Sequence, residues 1–246
     1  RCLATHNAMN LLVVCAEEVT VYKIDADEHE DLFELENHED VVLDASFSHD
    51  GKEIITACAD GVLRIFDSTK ASLLKSFSGH QSRITTCCYQ SFASSELDNV
   101  LTGSDDKHIR SWKTSFKKPL QSLQGHSSSI SSLVTYKDKY LASSSMDSTL
   151  RLWDLSTGHL MNVFTGHDDG IIDHCISADG KYLTSLSLDK SIRIFNIKHN
   201  TCRKIITNVE NCKQIRASRS SDIPDDLQGK IQYTPRNFYG INNSNC

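Results

Sequence analysis

Apolar and polar residues alternate in short blocks along most of this chain, and turn-forming residues separate the blocks. VVLDASFS, from Val41, changes character at nearly every position; HDGK follows, then EIITACA and VLRIF, joined across Asp60-Gly61. A period of two marks a strand with one buried face, while Gly, Asp and Asn clusters close the turns between strands. LLKSFS supplies a fourth strand. From Ser129 the same order returns as SISSLVTY, KYLASSS, TLRLWDL and HLMNVFT. No long segment has the apolar spacing of an amphipathic helix, so the pattern predicts an all-β chain of four-stranded meanders.

The meanders repeat in register. Histidines stand at 38, 80, 126 and 167, in steps of 42, 46 and 41; aspartates at 60, 106, 147 and 189 follow in steps of 46, 41 and 42. Six residues after each aspartate comes an aromatic (Phe66, Trp112, Trp153, Phe195), and four before it a hydroxyl (Thr56, Thr102, Ser143, Ser185). Extra residues in the second unit, SSELD, account for the one long step. Markers kept in phase across four units define a repeat, and a repeat of this length points to stacked supersecondary units.

The Gly-His pairs at 79–80, 125–126 and 166–167, with Trp153-Asp154, make the chain resemble the WD40-repeat family over residues 1–207. It departs in Asn37-His38, Phe66-Asp67, Trp112-Lys113 and Phe195-Asn196. The resemblance implies a β-propeller with about five four-stranded blades visible, a fragment of one with seven or more. The expected division is a partial degenerate blade at 1–36, blades at 37–78, 79–124, 125–165 and 166–207, and at 208–246 the start of a further blade, then a disordered or truncated tail. In the first segment the strands are expected to meet at Glu17-Glu18, with Tyr22 in the aromatic place. That the chain begins with Arg1 fits a fragment or processed product.

Histidine, hydroxyl and aspartate at fixed offsets also invite a catalytic reading, since His126, Ser143 and Asp147 are the residue types of a hydrolytic triad. Four copies of the set argue instead for structure. In the family the carboxylate accepts from the imidazole, the imidazole meets the strand hydroxyl, and the indole N–H ends the chain of bonds; this is the role expected of the sixteen marker residues above. Phe66 and Phe195 keep the ring and lose the donor.

Composition narrows the function. A net charge of −6 and the lack of a visible aromatic-plus-basic stripe give no reason to expect nucleic acid. Nine cysteines without C-x-x-C pairs read as buried apolar residues of a reducing compartment. No apolar run is long enough for a membrane span, nor is there a signal-peptide pattern, phosphate loop or metal-ligand spacing; Asp173-His174-Cys175 are strand neighbours that point to opposite faces. No cofactor, metal or small-molecule substrate is expected. The candidate partner-binding face comprises the loops after each histidine and before each aspartate: Glu39, Asp40, Arg83, Asp105, Met146, Asp168, Asp169 and Leu188. Its carboxylates suit a protein or peptide partner with a basic segment. The chain therefore reads as a non-catalytic interaction scaffold in a larger intracellular assembly, in cytoplasm or nucleus. The alternative is a sensor or substrate-receptor propeller of a signalling or ubiquitin-ligase protein.

Overall fold

The computed structural model describes residues 2–16, 18–24, 29–90, 99–115, 118–137, 139–209, 212, 214–216 and 232–233. Glu17, the SSELD insertion and nearly all of the segment 218–246 lie outside them. Five four-stranded antiparallel sheets follow one another along the chain, each a meander in sequence order. The first holds β1 (Cys2–His6), β2 (Leu11–Cys15), β3 (Val19–Ile24) and β4 (His29–Glu34). The second holds β5 (Val42–Phe47), β6 (Glu53–Cys58), β7 (Val62–Asp67) and β8 (Leu73–Ser78). The third holds β9 (Ile84–Gln90), β10 (Asn99–Ser104), β11 (Ile109–Lys113) and β12 (Pro119–Leu123). The fourth holds β13 (Ile130–Tyr136), β14 (Tyr140–Ser145), β15 (Leu150–Asp154) and β16 (Leu160–Phe164). The fifth holds β17 (Ile171–Ile176), β18 (Tyr182–Ser187), β19 (Ile192–Asn196) and β20 (Thr201–Ile206).

The first strands β1, β5, β9, β13 and β17 pack on one another in chain order, so each sheet is one blade around a shared channel. Its volume is about 1200 Å³, and its lining includes Thr5, Asp44, Thr86, Ser132, Asp173 and Gln214. The second, third and fourth blades are each sandwiched between neighbours, which explains why their second strands lose the alternation: in EIITAC every residue after Glu53 is buried. The cores lie between blades. Ile55, Leu63, Ile65 and Phe77 of the second meet Ile84, Val100 and Trp112 of the third; Leu152 and Phe164 of the fourth meet Ile171, Leu183 and Phe195 of the fifth. Burying such side chains contributes about 1.5–3 kcal/mol each. The outer strands are the most exposed, LLKSFS at all but one position.

Two β-bulges recur in the four repeat-bearing blades. One skips Leu43, Thr85, Ser131 or Ile172 on the first strand, the other skips a residue of the outermost strand beside Phe66, Trp112, Trp153 or Phe195. A bulge increases local twist and re-aims side chains, and here the first kind aims polar groups at the next blade. Asp44 Oδ2 accepts from Thr86 Oγ1 (2.9 Å) and the Cys87 amide (3.0 Å). Thr85 Oγ1 donates to the Ile130 carbonyl at 2.6 Å, Ser131 Oγ to that of Ile171 at 2.5 Å.

One expectation changes: the segment before Asn37 is a complete four-stranded sheet rather than a partial blade, because Cys2–His6 pairs along its whole length with Leu11–Cys15. Tyr22 stands at the outer bulge, as Phe66 does in the next blade. Beyond the fifth blade, β21 (Ile215–Arg216) pairs with β22 (Gln232–Tyr233) and packs on β17, where a next first strand would stand. The buried Ile215 amide donates to Asp173 Oδ2 at 2.8 Å, as the Cys87 amide donates to Asp44.

Candidate functional site

The polar clusters sit at one end of the blades, under the loops that lead into each first strand. In the fourth blade His126 Nδ1 donates to Asp147 Oδ2 (2.8 Å), Ser143 Oγ donates to His126 Nε2 (2.8 Å), and Trp153 Nε1 donates to Ser143 Oγ (2.9 Å). The carboxylate accepts only, so Nδ1 carries the imidazole proton and Nε2 is left to accept. The third blade repeats the chain with His80–Asp106 (2.9 Å), Thr102–His80 (2.7 Å) and Trp112–Thr102 (2.8 Å). The fifth keeps His167–Asp189 and Ser185–His167, both 2.7 Å, and ends on the Phe195 ring, 6.5 Å from the imidazole.

The second blade departs. Thr56 still donates to His38 Nε2 (2.9 Å) and Phe66 packs 5.4 Å away, but His38 Nδ1 donates to the Leu35 carbonyl rather than to Asp60. Asp60 lies 2.7 Å from Arg64, a buried charge contact without hydrogen-bond alignment. Four residues after every repeat aspartate stands an arginine, Arg64, Arg110, Arg151 or Arg193, a spacing visible in the sequence and absent from the markers above. In the second and third blades it pairs with the aspartate at 2.7 Å. In the fourth and fifth a hydroxyl two residues after the aspartate holds the other oxygen: Thr149 and Ser191 each donate to Oδ1 at 2.6 Å. Arg151 and Arg193 then lie across Gly125 and Gly166, where a Cβ would collide with the guanidinium.

Burial lowers His80 from 6.5 to about 4 and lowers His167 and His38 below the ordinary range, against the opposing pull of Asp106 and Asp189 on the first two. Burial alone would raise the aspartates, yet the Ser191 and His167 bonds bring Asp189 down to about 2, and Arg110 and His80 hold Asp106 lower still. Ionised carboxylate beside neutral imidazole is the resulting state. The geometry is that of a hydrolytic triad three times over, but His126 is 6% exposed, Ser143 is fully buried, and the serine oxygen is already held by an indole. A nucleophile needs an open approach.

Above these clusters lies the face with Glu39, Asp40, Arg83, Asp105, Met146, Asp168, Asp169 and Leu188. The residue before each aspartate is tied back to the loop: the amides of Ala59, Asp105, Met146 and Leu188 donate to the carbonyls of Val41, Arg83, Ser129 and Gly170. Asp105 does not add to the free negative charge, because Arg83 Nε donates to it at 2.7 Å and Ser129 Oγ donates to its other oxygen. The exposed acid that remains is Glu39 and Asp40 on the second blade and Asp168 and Asp169 on the fifth. Met146 and Leu188, 43% and 48% exposed, meet at Gly170. A Cβ there would come within 2.7 Å of Met146 Sδ, while the Gly170 carbonyl holds the Leu188 amide. Both exposed apolar residues are thus anchored to the residue that follows Asp168 and Asp169, Met146 by packing and Leu188 by its backbone, at the seam between fourth and fifth blades.

Asp173, His174 and Cys175 are all buried; Asp173 accepts from Ile215, and His174 Nδ1 lies 3.0 Å from Ser144 Oγ. At the opposite end of the blades lies a basic, aromatic patch: Tyr136, Lys137, Lys139 and Tyr140 are close in sequence, and the fold adds Tyr182 and Arg203 of the next blade.

The WD domain, G-beta repeat family matches residues 71–113, 117–154 and 158–196, and the Anaphase-promoting complex subunit 4 WD40 domain matches residues 4–91. The chain belongs to the WD40-repeat family. Each matched repeat begins just before an outer strand and ends with the third strand of the next sheet, so a WD40 repeat and a blade are offset by one strand. WD repeat-containing protein 37 of Mus musculus is 31% identical over 128 residues, 50% of this chain and 25% of that protein. The U3 small nucleolar RNA-associated protein 21 homolog of Schizosaccharomyces pombe is 37% identical over 111 residues, 44% of this chain and 12% of its own length. The WD repeat-containing protein 55 homolog of Dictyostelium discoideum is 28% identical over 177 residues, 71% of this chain and 42% of its own. The chain thus aligns with less than half of each of these relatives. Among the described residues no helix is long and apolar enough to cross a membrane.

Proposed function

We propose that this WD40 chain is a non-catalytic interaction module whose histidine-loop face binds a protein segment with a basic residue beside an apolar one. The observation that carries the reading is the seam at Gly170: two exposed apolar residues anchored beside two exposed carboxylates, on rigid, hydrogen-bonded loops. Apolar anchors supply affinity, and complementary charge supplies orientation and on-rate. The burial of every described triad-like cluster speaks against hydrolysis.

The setting that fits is a large intracellular assembly, with the nucleus as its place. Relatives carry names such as U3 small nucleolar RNA-associated protein 21 homolog and U5 small nuclear ribonucleoprotein 40 kDa protein. A second setting, a ubiquitin-ligase assembly, is favoured by the match of residues 4–91 to the Anaphase-promoting complex subunit 4 domain. The test is a Lys/Arg-plus-Leu peptide panel titrated against the chain and its Asp168→Lys/Asp169→Lys variant. Peptides that bind the parent should bind the variant at least ten-fold more weakly. Equal affinities would refute the reading.

A further inference from the structure

The end of the propeller opposite the histidine loops carries a different chemistry. First and second strands of each blade join there, as do third and fourth; the Leu155 amide donating to the Lys139 carbonyl and the Ile197 amide to that of Lys181 tie these turns together. On the fourth and fifth blades they hold tyrosines and cations. Tyr136 and Tyr140 face each other across a strand pair. Lys137 Nζ lies 5.2 Å over the Tyr136 ring, Lys139 Nζ 5.4 Å over Tyr140, and the Arg203 guanidinium 5.3 Å over Tyr182. Arg203 also donates to the Tyr182 hydroxyl.

The two blades form one surface there. Tyr136 reaches Gly180 of the next blade, where a Cβ would overlap its ring. Asn162 Nδ2 donates to the Ile197 carbonyl, and Asn200 Nδ2 to that of Val163. Two carboxylates are partly neutralised on it, Asp154 by Lys139 (3.5 Å) and Asp179 by Lys181 (3.3 Å). Lys137, Lys198, Arg203 and Lys204 are exposed and have no carboxylate partner among the described residues. The corresponding turn of the second blade, His49 to Glu53, pairs Lys52 with Asp50 and adds Glu53.

We infer that this surface is a docking site for single-stranded nucleic acid, independent of the peptide face. Spaced cations neutralise backbone phosphates. The exposed Arg203 guanidinium, anchored over Tyr182 by its ring and hydroxyl, offers a planar cation on which an unpaired base stacks. An acidic peptide would use the charges but leaves the planar stack without a role, and a duplex hides its base faces.

The experiment is fluorescence anisotropy with the chain and a labelled oligouridine of about 20 nucleotides, long enough to cross two blades. Neutralising about four phosphates gives a salt slope near −3, so raising salt from 50 to 200 mM should weaken binding about fifty-fold. Lys137→Glu/Arg203→Glu should lose at least ten-fold; Arg203→Lys, which keeps charge and loses the plane, several-fold. Asp168→Asn/Asp169→Asn should bind as the parent does. Thermal midpoints report folding, and Lys198→Glu serves instead should the double variant misfold. No binding at 50 mM, affinity unchanged in the charge-reversed variant, or oligouridine displaced by poly-glutamate of equal charge would overturn the assignment, and an unchanged Arg203→Lys would overturn the stacking.

Discussion

Asp147 is the hub of the fourth blade's polar cluster, and Asp147→Ala measures what that cluster contributes. Its carboxylate accepts from His126 Nδ1 (2.8 Å), the Ser127 amide (2.9 Å), the Thr149 amide (3.0 Å) and the Thr149 hydroxyl (2.6 Å). The aspartate side chain is 5% exposed and the imidazole 1%, so water cannot readily replace the lost acceptor. Each bond to a charged group is worth about 1.5–3 kcal/mol, and stranding a buried donor costs about 1–3. These do not add fully within one network. A loss of about 3–5 kcal/mol is expected, which lowers Tm by on the order of 10 °C for a chain of this size. The control is Asp154→Ala. Asp154 also accepts several bonds, from Ser156 and Thr157, but at an exposed turn where water substitutes, and its loss should lower the midpoint far less. Calorimetry or circular dichroism melts on parent and both variants decide it. Equal midpoints for Asp147→Ala and the parent, or equal losses for the two variants, would refute the argument.

Trp153→Phe removes only the indole donor and makes the fourth blade like the fifth, so it should cost about 1 kcal/mol, read as a small shift of the urea midpoint at constant slope. Asp44→Ala breaks the bonds to Thr86 and Cys87 that join second and third blades, and should cost about 2–4 kcal/mol and raise amide exchange at Cys87 before it does at Ile171. For pH, His80 is lowered in the fold from 6.5 to about 4. A base depressed on folding gives stability that is complete above 6.5 and is lost as pH falls toward 4, worth up to about 3 kcal/mol. Tm should therefore fall between pH 7 and 4.5, and fall less in His80→Asn; an equal fall would contradict it.

The repeat was legible because hydrogen-bonded clusters need particular side chains at fixed offsets, and His126, Ser143, Asp147 and Trp153 keep theirs. The first blade was less legible because, counted back from Tyr22, Ala16 and Leu12 stand at the aspartate and hydroxyl offsets, leaving only strand periodicity over short strands such as Cys2–His6. The arginine four residues after each aspartate was in plain view. Its role was not, because spacing does not say whether the guanidinium reaches Oδ2 of the aspartate, as Arg64 and Arg110 do, or lies across the glycine before the histidine, as Arg151 and Arg193 do. Asp105 counted as free acid because its partners, Arg83 and Ser129, arrive from another loop and another blade. The contact between Arg203 and Tyr182 joins two strands of one blade across a fold that spacing alone does not specify.

The central claim is that each repeat-bearing blade is stitched by a directed chain of bonds running through a neutral histidine. Nitrogen-15 NMR of the imidazoles at pH 7.5 tests it most directly. His126 and His167 should both carry their proton on Nδ1, facing Asp147 and Asp189, with Nε2 accepting from the serine. A proton on Nε2 at either residue would contradict the account, since the carboxylate would then have no imidazole proton to accept.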